Sequence, residues 1–406
     1  MEHKWRTLWL IALAELLAMS LWFSASAVGP ALMLEWQLTA AQASWFTNAV
    51  QIGFVVGGLT SASLNLADRW PANFVFAGGA FAGAAFNAAI PLTGSGFADV
   101  VVLRFLTGAS LAAVYPVGMK IMASWTKEDR GLGLGILVGA LTIGSALPHL
   151  VRGLGGIGAW EPLMYTVSLV AVVGGAVALV FGRLGPYHAP AENLEWRRMG
   201  DSFRDPYLRL ANFGYLGHMW EVYAMWTWIP VYLVEVYRLS SSDMGVGWAP
   251  ERLAAIAGFG AIAIGGAGSL LAGRLADRWG RSNVTITSLV VSGTCAVAIG
   301  FAFHSPIAAT AIALVWGFMV VADSAQFSSA VSELADPAFV GTQLTAQTTA
   351  GFLITMVSIR LIPGIAERVG WHWAFVVLAI GPLFGIWAMA RLRSSPGASR
   401  MAGGRG

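Results

Sequence analysis

Long apolar stretches alternate with short polar separators along the whole chain. A helix needs about 20 mostly apolar residues to cross the hydrocarbon core of a bilayer, and twelve stretches reach that length. Their predicted ranges are 7–30, 43–65, 72–93, 98–124, 130–152, 160–183, 208–236, 250–273, 283–304, 306–331, 339–362 and 372–392. The pattern predicts an all-α polytopic membrane protein with twelve transmembrane helices.

One polar stretch is much longer than the others and lies near the middle of the chain. It begins at Arg183 and ends at Arg209, and charged residues are frequent within it. It divides the predicted helices into six plus six. We therefore predict an N-terminal bundle over 1–183, an inter-half loop over 184–207, a C-terminal bundle over 208–393 and a tail over 394–406.

The distribution of basic residues predicts the orientation of the chain. If the N-terminus is cytoplasmic, 18 of the 24 Lys and Arg residues lie at cytoplasmic helix ends or loops. Such a bias is typical of cytoplasmic loops. No clear cleavage site follows the first apolar stretch. We expect a multi-pass protein of the cell inner membrane, with both termini in the cytoplasm.

Composition excludes several other classes of protein. Hydrophobic residues make up 57% of the chain and charged residues 11%, with a mean hydropathy of +0.67. Soluble domains carry about 25% charged residues. The single cysteine, Cys295, leaves no structural disulfide and no cysteine-based metal site. A net charge of +3 gives no reason to expect nucleic acid as a partner, and we expect no catalytic residue, cofactor or metal ion.

A short motif occurs once in each half of the chain. Leu66-Ala67-Asp68-Arg69-Trp70 recurs at 275–279, so Asp68 and Asp277 are 209 residues apart (277 minus 68). Each copy is predicted to lie between the second and third helix of its half. Two halves with the same helix count and orientation form parallel repeats, related by an axis along the membrane normal.

The second copy resembles the signature loop of the major facilitator superfamily, because Gly273 precedes Asp277-Arg278 and then Gly280-Arg281. The first copy departs from it, with Leu64 and Pro71 at the glycine positions. In predicted helix 4, the segments Arg104–Ala109 and Tyr115-Pro116 resemble a second signature of the same family.

The resemblance implies two pseudo-symmetric six-helix halves that transport by alternating access. It also implies a cytoplasmic gate that latches the halves and must release during transport. The gate residues are Asp68, Arg69, Gly273, Asp277, Arg278 and Arg281. The alternative is that Arg278 and Arg281 only fix the topology.

Ionisable residues inside the predicted helices are candidates for function, because they are unfavourable in the bilayer core. Glu15 lies in helix 1, Arg104 in helix 4, His218 with Glu221 in helix 7, and Asp323 in helix 10. The resemblance implies that these four helices line a central cavity. We hypothesise that Glu15, Glu221 or Asp323 carries a coupling proton, with Arg104 as charge partner. The alternatives are a static ion pair and a carboxyl bonded to the backbone.

Aromatic residues are dense in predicted helix 7, and Trp226 is among them. Together with Tyr115 of helix 4 it is a candidate for the wall of the cavity, since such rings offer a flat surface and a polar group. Plain packing between helices is the alternative.

Three further residues lie near the outer ends of helices 5 and 11. His149 and Arg152 belong to helix 5 and Arg360 to helix 11. The two arginines occupy near-equivalent places in the repeat, so they are candidates for contact with an anionic substrate. The alternative is that they extend to the membrane surface.

Two branches of the superfamily offer patterns that this chain lacks. The drug antiporters end a glycine-rich helix 5 in Gly-Pro, whereas Leu147 precedes Pro148 here. The nitrate transporters have arginines in the middle of helices 2 and 8, and neither predicted helix has one.

We predict a monomeric secondary active transporter of a small solute, coupled to H+ and embedded in the lipid bilayer. The substrate is open, with a small organic or inorganic anion as one possibility. An efflux exporter of the same family and a non-transporting membrane sensor are the alternatives. An enzyme would need clustered catalytic groups, and the sequence offers none.

Overall fold

The computed structural model describes residues 2–93, 96–126, 130–155, 159–188, 194–240 and 248–406. Over these residues the chain forms helices and no β-strand. Twelve of the helices, numbered α1 to α12, traverse the bundle. Their bounds are Glu2–Met19, Trp45–Leu64, Ala72–Thr93, Phe97–Trp125, Arg130–Gly155, Glu161–Phe181, Pro206–Leu239, Pro250–Trp279, Arg281–Phe301, Pro306–Leu334, Val340–Val369 and Trp371–Arg393.

Nine segments of the described chain are long and apolar enough to cross a membrane. The remaining helices, α1, α2 and α7, carry more polar side chains, among them Glu15, Gln51 and Glu221. The predicted all-α membrane fold is confirmed. Some helix ends differ from the predicted ones. For example, α11 continues to Val369, whereas the prediction ended it at residue 362.

Two helices are interrupted at matching places in the repeat. The first part of α4 ends at Leu111 and the second begins at Tyr115, while α10 is interrupted at Asp323. Val114, in the first interruption, lies 209 residues before Asp323 (323 minus 114), the same offset as the repeated motif. Interruptions leave backbone groups without helical partners at membrane depth, where something else must bond them.

The first helix is also interrupted. It stops at Met19 and continues as two short helices, Ser24–Ala27 and Gly29–Glu35. We call the end of the bundle at which α1 begins and α12 ends the termini face, and the opposite end the far face.

The two halves meet through α5 against α8 and α2 against α11. The first pair packs closely because Gly139 and Gly266 face each other; a Cβ on Gly139 would lie 3.3 Å from the Gly266 oxygen. In the second pair, Thr355 Oγ1 donates to Gln51 Oε1 over 2.6 Å, and Asn48 Nδ2 donates to the carbonyl of Met356 over 3.4 Å. These bonds lie near the start of α2, so they hold the halves together toward the far face.

The first copy of the repeated motif lies between α2 and α3, as predicted, but as a short helix rather than a loop, and the second copy continues α8 instead of following it. Residues 275–279 form the last turn of α8, which ends at Gly280 with a φ of +87°. In the first half, α2 ends at Asn65 in the left-handed region, and the short helix Leu66–Arg69 follows. Leucine, alanine and arginine favour helix, which is consistent with these residues continuing as helix rather than forming a loop.

The segment after α12 packs against the second half. Met401 is fully buried, the Ala402 amide donates to Glu333 Oε2 over 3.0 Å, and the Ser282 amide donates to the carbonyl of Gly406 over 3.2 Å. This segment therefore covers the ends of α8 and α10 at the termini face.

Candidate functional site

Glu15 is buried one turn before the end of α1 and faces α4. Its side chain is 0% exposed, and a Cβ on Gly118 would lie 2.7 Å from its Oε2. Neither carboxyl oxygen has a hydrogen-bond partner among the described residues, and Tyr115 lies within electrostatic range. A buried, unpaired carboxylate is strongly unfavourable, so a proton or a bound molecule must complement it.

His218 and Asp323 form a buried pair between α7 and α10. Their Nδ1 and Oδ1 atoms are 2.9 Å apart, and the side chains are 2% and 1% exposed. The rings of Tyr215 and Phe327 lie beside the imidazole, at centroid distances of 6.0 and 5.6 Å. Asp323 Oδ2 has no hydrogen-bond partner in the described part of the chain. The interruption of α10 therefore brings a carboxyl group with spare bonding capacity to the centre.

Glu221 has a different environment from His218, although the two are three residues apart. Ser292 Oγ of α9 donates to Glu221 Oε2 over 2.8 Å, and Trp316 Nε1 of α10 donates to Oε1 over 2.7 Å. The carboxyl is therefore bonded inside the second half. The predicted grouping of Glu221 with His218 is not what the contacts show, because His218 turns to Asp323.

Arg104 is fully buried and binds the interruption of α1. It donates hydrogen bonds to the carbonyl oxygens of Leu21 (2.9 Å), Trp22 and Phe46 (3.2 Å), to Ser24 Oγ (2.9 Å) and to Asn87 Oδ1 (3.3 Å). Backbone and neutral groups thus occupy its donors, where the sequence predicted a carboxylate as partner. No described carboxylate forms an ion pair with it.

Six aromatic rings from the interruption after α1 and from α2, α7 and α11 meet at the centre. The ring layer consists of Trp22, Phe23, Phe54, Tyr223, Trp226 and Phe352, with neighbouring centroids 5.1 to 6.5 Å apart. Trp226 was predicted here from the aromatic density of its helix. Tyr223 belongs to the same aromatic stretch of α7. The other four rings were missed, because nothing in the sequence shows which rings of distant helices meet.

Several buried N–H donors of the ring layer and of the helices that carry it have no hydrogen-bond partner among the described residues. In the described residues, Trp22 Nε1, Trp226 Nε1, Gln51 Nε2 and Gln347 Nε2 make no hydrogen bond, and all four side chains are buried. Buried polar groups in native proteins are nearly always bonded. The two glutamines could have been found as uncharged polar residues inside apolar helices, but only charges were sought there.

The predicted gate residues form ion pairs within each half rather than between halves. Lys120 Nζ lies 2.5 Å from Asp68 Oδ1 in the first half. In the second, Arg281 donates to Glu333 over 2.5 Å and to Gln326 over 2.9 Å. Arg69, Asp277 and Arg278 are exposed, and Gly273 is half-buried.

The three residues proposed for an anion are not brought together by any contact in the described chain. The Arg360 guanidinium donates to the carbonyl of Ala41 and over 3.5 Å to Ser44 Oγ, and so joins α11 to the connection before α2. His149 is buried, and its Nε2 has no partner among the described residues. Arg152 is half-buried near the end of α5.

A cavity of about 440 Å³ opens at the termini face, between the inter-half segment and α10–α11. It is lined by Arg198, Asp201, Asp205, Leu208, Leu334, Asp336, Phe339, Gln343 and Arg400. Arg198 lies 4.7 Å from the Phe339 ring centroid. None of these residues belongs to the charged centre.

Two matched sets of antiparallel apolar helices around a buried polar centre define a multi-pass membrane transport protein. The sequence profile of the Major Facilitator Superfamily matches residues 11–359 and 246–406. The chain belongs to this superfamily.

Known relatives are transporters. The chain is 27% identical over 252 residues to the "Probable nitrate/nitrite antiporter NarK1" of Thermus thermophilus, covering 58% of this chain but only 55% of that relative. It is 22% identical to the "Hexuronate transporter" of Escherichia coli (strain K12), covering 95% of this chain and 94% of the relative. A crystal structure of the nucleoside transporter NupG, a mutant form, shares the fold with a TM-score of 0.70 at 15% identity, over 95% of this chain and 99% of that one.

Proposed function

We propose that the chain is a proton-coupled secondary transporter that moves a small solute by alternating access. Its membership of the superfamily and its transporter relatives support the class. No enzymatic step is needed for this function, because the energy comes from an ion gradient. Transport out of the cell is the second candidate, and the direction of a flux assay distinguishes it.

The observation that carries the proton coupling is the pair of buried acids at the centre. Within the part of the chain that the structure describes, neither carboxyl oxygen of Glu15 in the first half has a hydrogen-bond partner, and Asp323 Oδ2 in the second half has none either. A carboxyl group at membrane depth that can exchange a proton is a common feature of proton relays. The proton would bind while the centre faces one compartment and leave after it faces the other.

Replacing these acids by amides is expected to uncouple the transporter. Glu15→Gln and Asp323→Asn keep the shape of each side chain but cannot carry the proton, so proton movement should fall about tenfold or more, a change of at least about 1.4 kcal/mol. The measurement is the change of a pH-sensitive dye in proteoliposomes after addition of nitrate, glucuronate, uracil or nicotinamide.

The matched control is Glu221→Gln. This residue is equally buried, but its carboxyl is already bonded by Ser292 and Trp316, and an amide oxygen can accept one of those bonds. We expect it to retain coupling. Full proton movement in both the Glu15 and Asp323 variants would refute the assignment.

The topology proposed here follows from the positive charges. We propose that the termini face is cytoplasmic, that the membrane is the cell inner membrane and that the protein works as a monomer. We also propose the division into 1–183, 184–207, 208–393 and 394–406, which the matched interruptions of α4 and α10 support.

An anionic substrate has limited support. The names of two relatives mention nitrate, nitrite and hexuronate, which are anions. In this chain, however, Arg360 is bonded to Ala41 and Ser44, and Arg104 is bonded to the interruption of α1. Neither guanidinium is free to meet an anion at the centre.

A further inference from the structure

We propose that the charged centre and the ring layer bind an uncharged solute with a flat ring that both donates and accepts hydrogen bonds. This inference rests on the proposed transport function, because the same centre would carry the substrate. The substrate class follows from the surface, the bonding capacity and the charge of the centre.

The ring layer supplies flat apolar surface from both halves. Trp22 contacts Tyr223 and Phe352 of the second half, at centroid distances of 5.8 and 5.7 Å. Phe54 and Phe352 are 5.1 Å apart. When the ring layer separates to admit a solute, its ring–ring contacts are lost. A flat ring inserted among these side chains would make similar contacts and recover most of the lost interaction energy. A solute without a flat ring would not recover that energy.

The unbonded groups of the ring layer and of the charged centre include both donors and acceptors. Trp22 Nε1 and Trp226 Nε1 belong to the ring layer itself, and Gln51 Nε2 lies one turn from Phe54. Acceptors are provided by Glu15 and Asp323, whose free oxygens have no described partner. A solute that fills both kinds of position must itself accept and donate.

The charge of the centre disfavours an anion. Glu15 and Asp323 are acidic, and among the described residues that line the centre only His218 can balance them. The buried guanidinium of Arg104 already bonds the carbonyls of Leu21, Trp22 and Phe46. An anion would have to be desolvated beside carboxyl groups without a free cation, and like charges in a buried site repel strongly.

Two pairs of flat compounds test the charge preference with little change of shape. Nicotinamide and uracil are uncharged, while nicotinate and orotate carry a carboxylate on a similar ring. We expect purified protein in detergent to bind at least one uncharged compound about tenfold more tightly than its anionic counterpart, measured by titration calorimetry. Nitrate should not compete.

Two conservative variants test the ring layer. Trp22→Phe and Trp226→Phe keep an aromatic ring but remove the N–H, and each is expected to weaken binding of the uncharged compound about fivefold. The control is Trp5→Phe at the exposed start of α1, which should bind normally. Thermal unfolding without ligand should be the same for all three variants, which shows that the fold is retained.

Three results would overturn the inference. They are tighter binding of nicotinate, orotate or nitrate, no binding of either uncharged compound at millimolar concentration, and Trp22 and Trp226 variants that bind like the Trp5 control. The assay uses no gradient. Binding without any proton movement in vesicles would therefore refute the proton coupling and leave this inference intact.

Discussion

Replacing Arg104 by methionine is expected to destabilise the folded protein by about 3–5 kcal/mol. Methionine fills much of the same space but leaves the carbonyl oxygens of Leu21, Trp22 and Phe46 without their buried donor. Unbonded backbone groups are especially unfavourable at membrane depth. The free energy of unfolding, measured by denaturant titration of the protein in detergent micelles, gives the change directly.

The control for this variant is Arg278→Met. Arg278 is exposed at the end of α8, so its replacement should change the free energy of unfolding by no more than about 0.5 kcal/mol. Lysine at position 104 should recover part of the loss, because it retains three N–H donors. Equal stability of the Arg104 and Arg278 variants would show that the interruption of α1 does not need the guanidinium.

Gly317→Ala should cost about 3 kcal/mol, because α8 and α10 touch through this glycine. A Cβ at position 317 would overlap the carbonyl oxygen of Ala261 on α8. The collision is with backbone rather than with a flexible side chain, so the two helices must separate along their length. Small residues at such positions allow close helix approach in membranes. The same unfolding titration measures the effect.

Gly58→Ala is the matched control. Gly58 lies in α2, and nothing is within 4 Å of the position its Cβ would take. Because alanine favours helix over glycine by about 1 kcal/mol, this variant should be as stable as the parent or slightly more so. An alanine at position 317 that is tolerated equally well would contradict the close packing of α8 on α10.

The number of helices and the repeat could be predicted from the sequence because they depend on local properties. The length of an apolar stretch is set by bilayer thickness, and the repeated Asp68 and Asp277 motifs are visible without any structure. The helical continuation through residues 275–279 was missed, since a charged turn at a membrane surface resembles a loop in hydropathy.

The partners of the buried charges could not be predicted. His218 and Glu221 are close on α7, but the rotation of that helix against α9 and α10 decides that His218 meets Asp323 and Glu221 meets Trp316. Likewise, the interruption of α1 creates the acceptors that Arg104 binds. Both outcomes depend on the packing of whole helices.

Contacts between distant parts of the chain could not be predicted from the sequence either. The bond from Thr355 to Gln51 joins residues 304 positions apart, and the segment after α12 docks beside Glu333 through the Ala402 amide. Neither contact has a local signal in the sequence, because each depends on how segments far apart in the chain pack together.

Alternating access requires the two six-helix halves to open the centre to one face at a time. Two pairs of exposed residues at repeat-equivalent positions can report on it. Leu92 and Phe301 are 72% and 77% exposed at the far-face ends of α3 and α9, and Trp70 and Trp279 are 64% and 57% exposed at the termini face. Each pair would be replaced by cysteines carrying spin labels, in a background where the buried Cys295 is serine.

Pulsed electron paramagnetic resonance then gives the distribution of distances between the two spin labels at each face, with the protein in lipid nanodiscs. We predict two distances, one short and one long, for the label pair at each face. A change of pH or of bound solute should shift the populations at the two faces in opposite directions, so that the far-face pair is short when the termini-face pair is long. A single unchanged distance at both faces under all conditions would contradict the account.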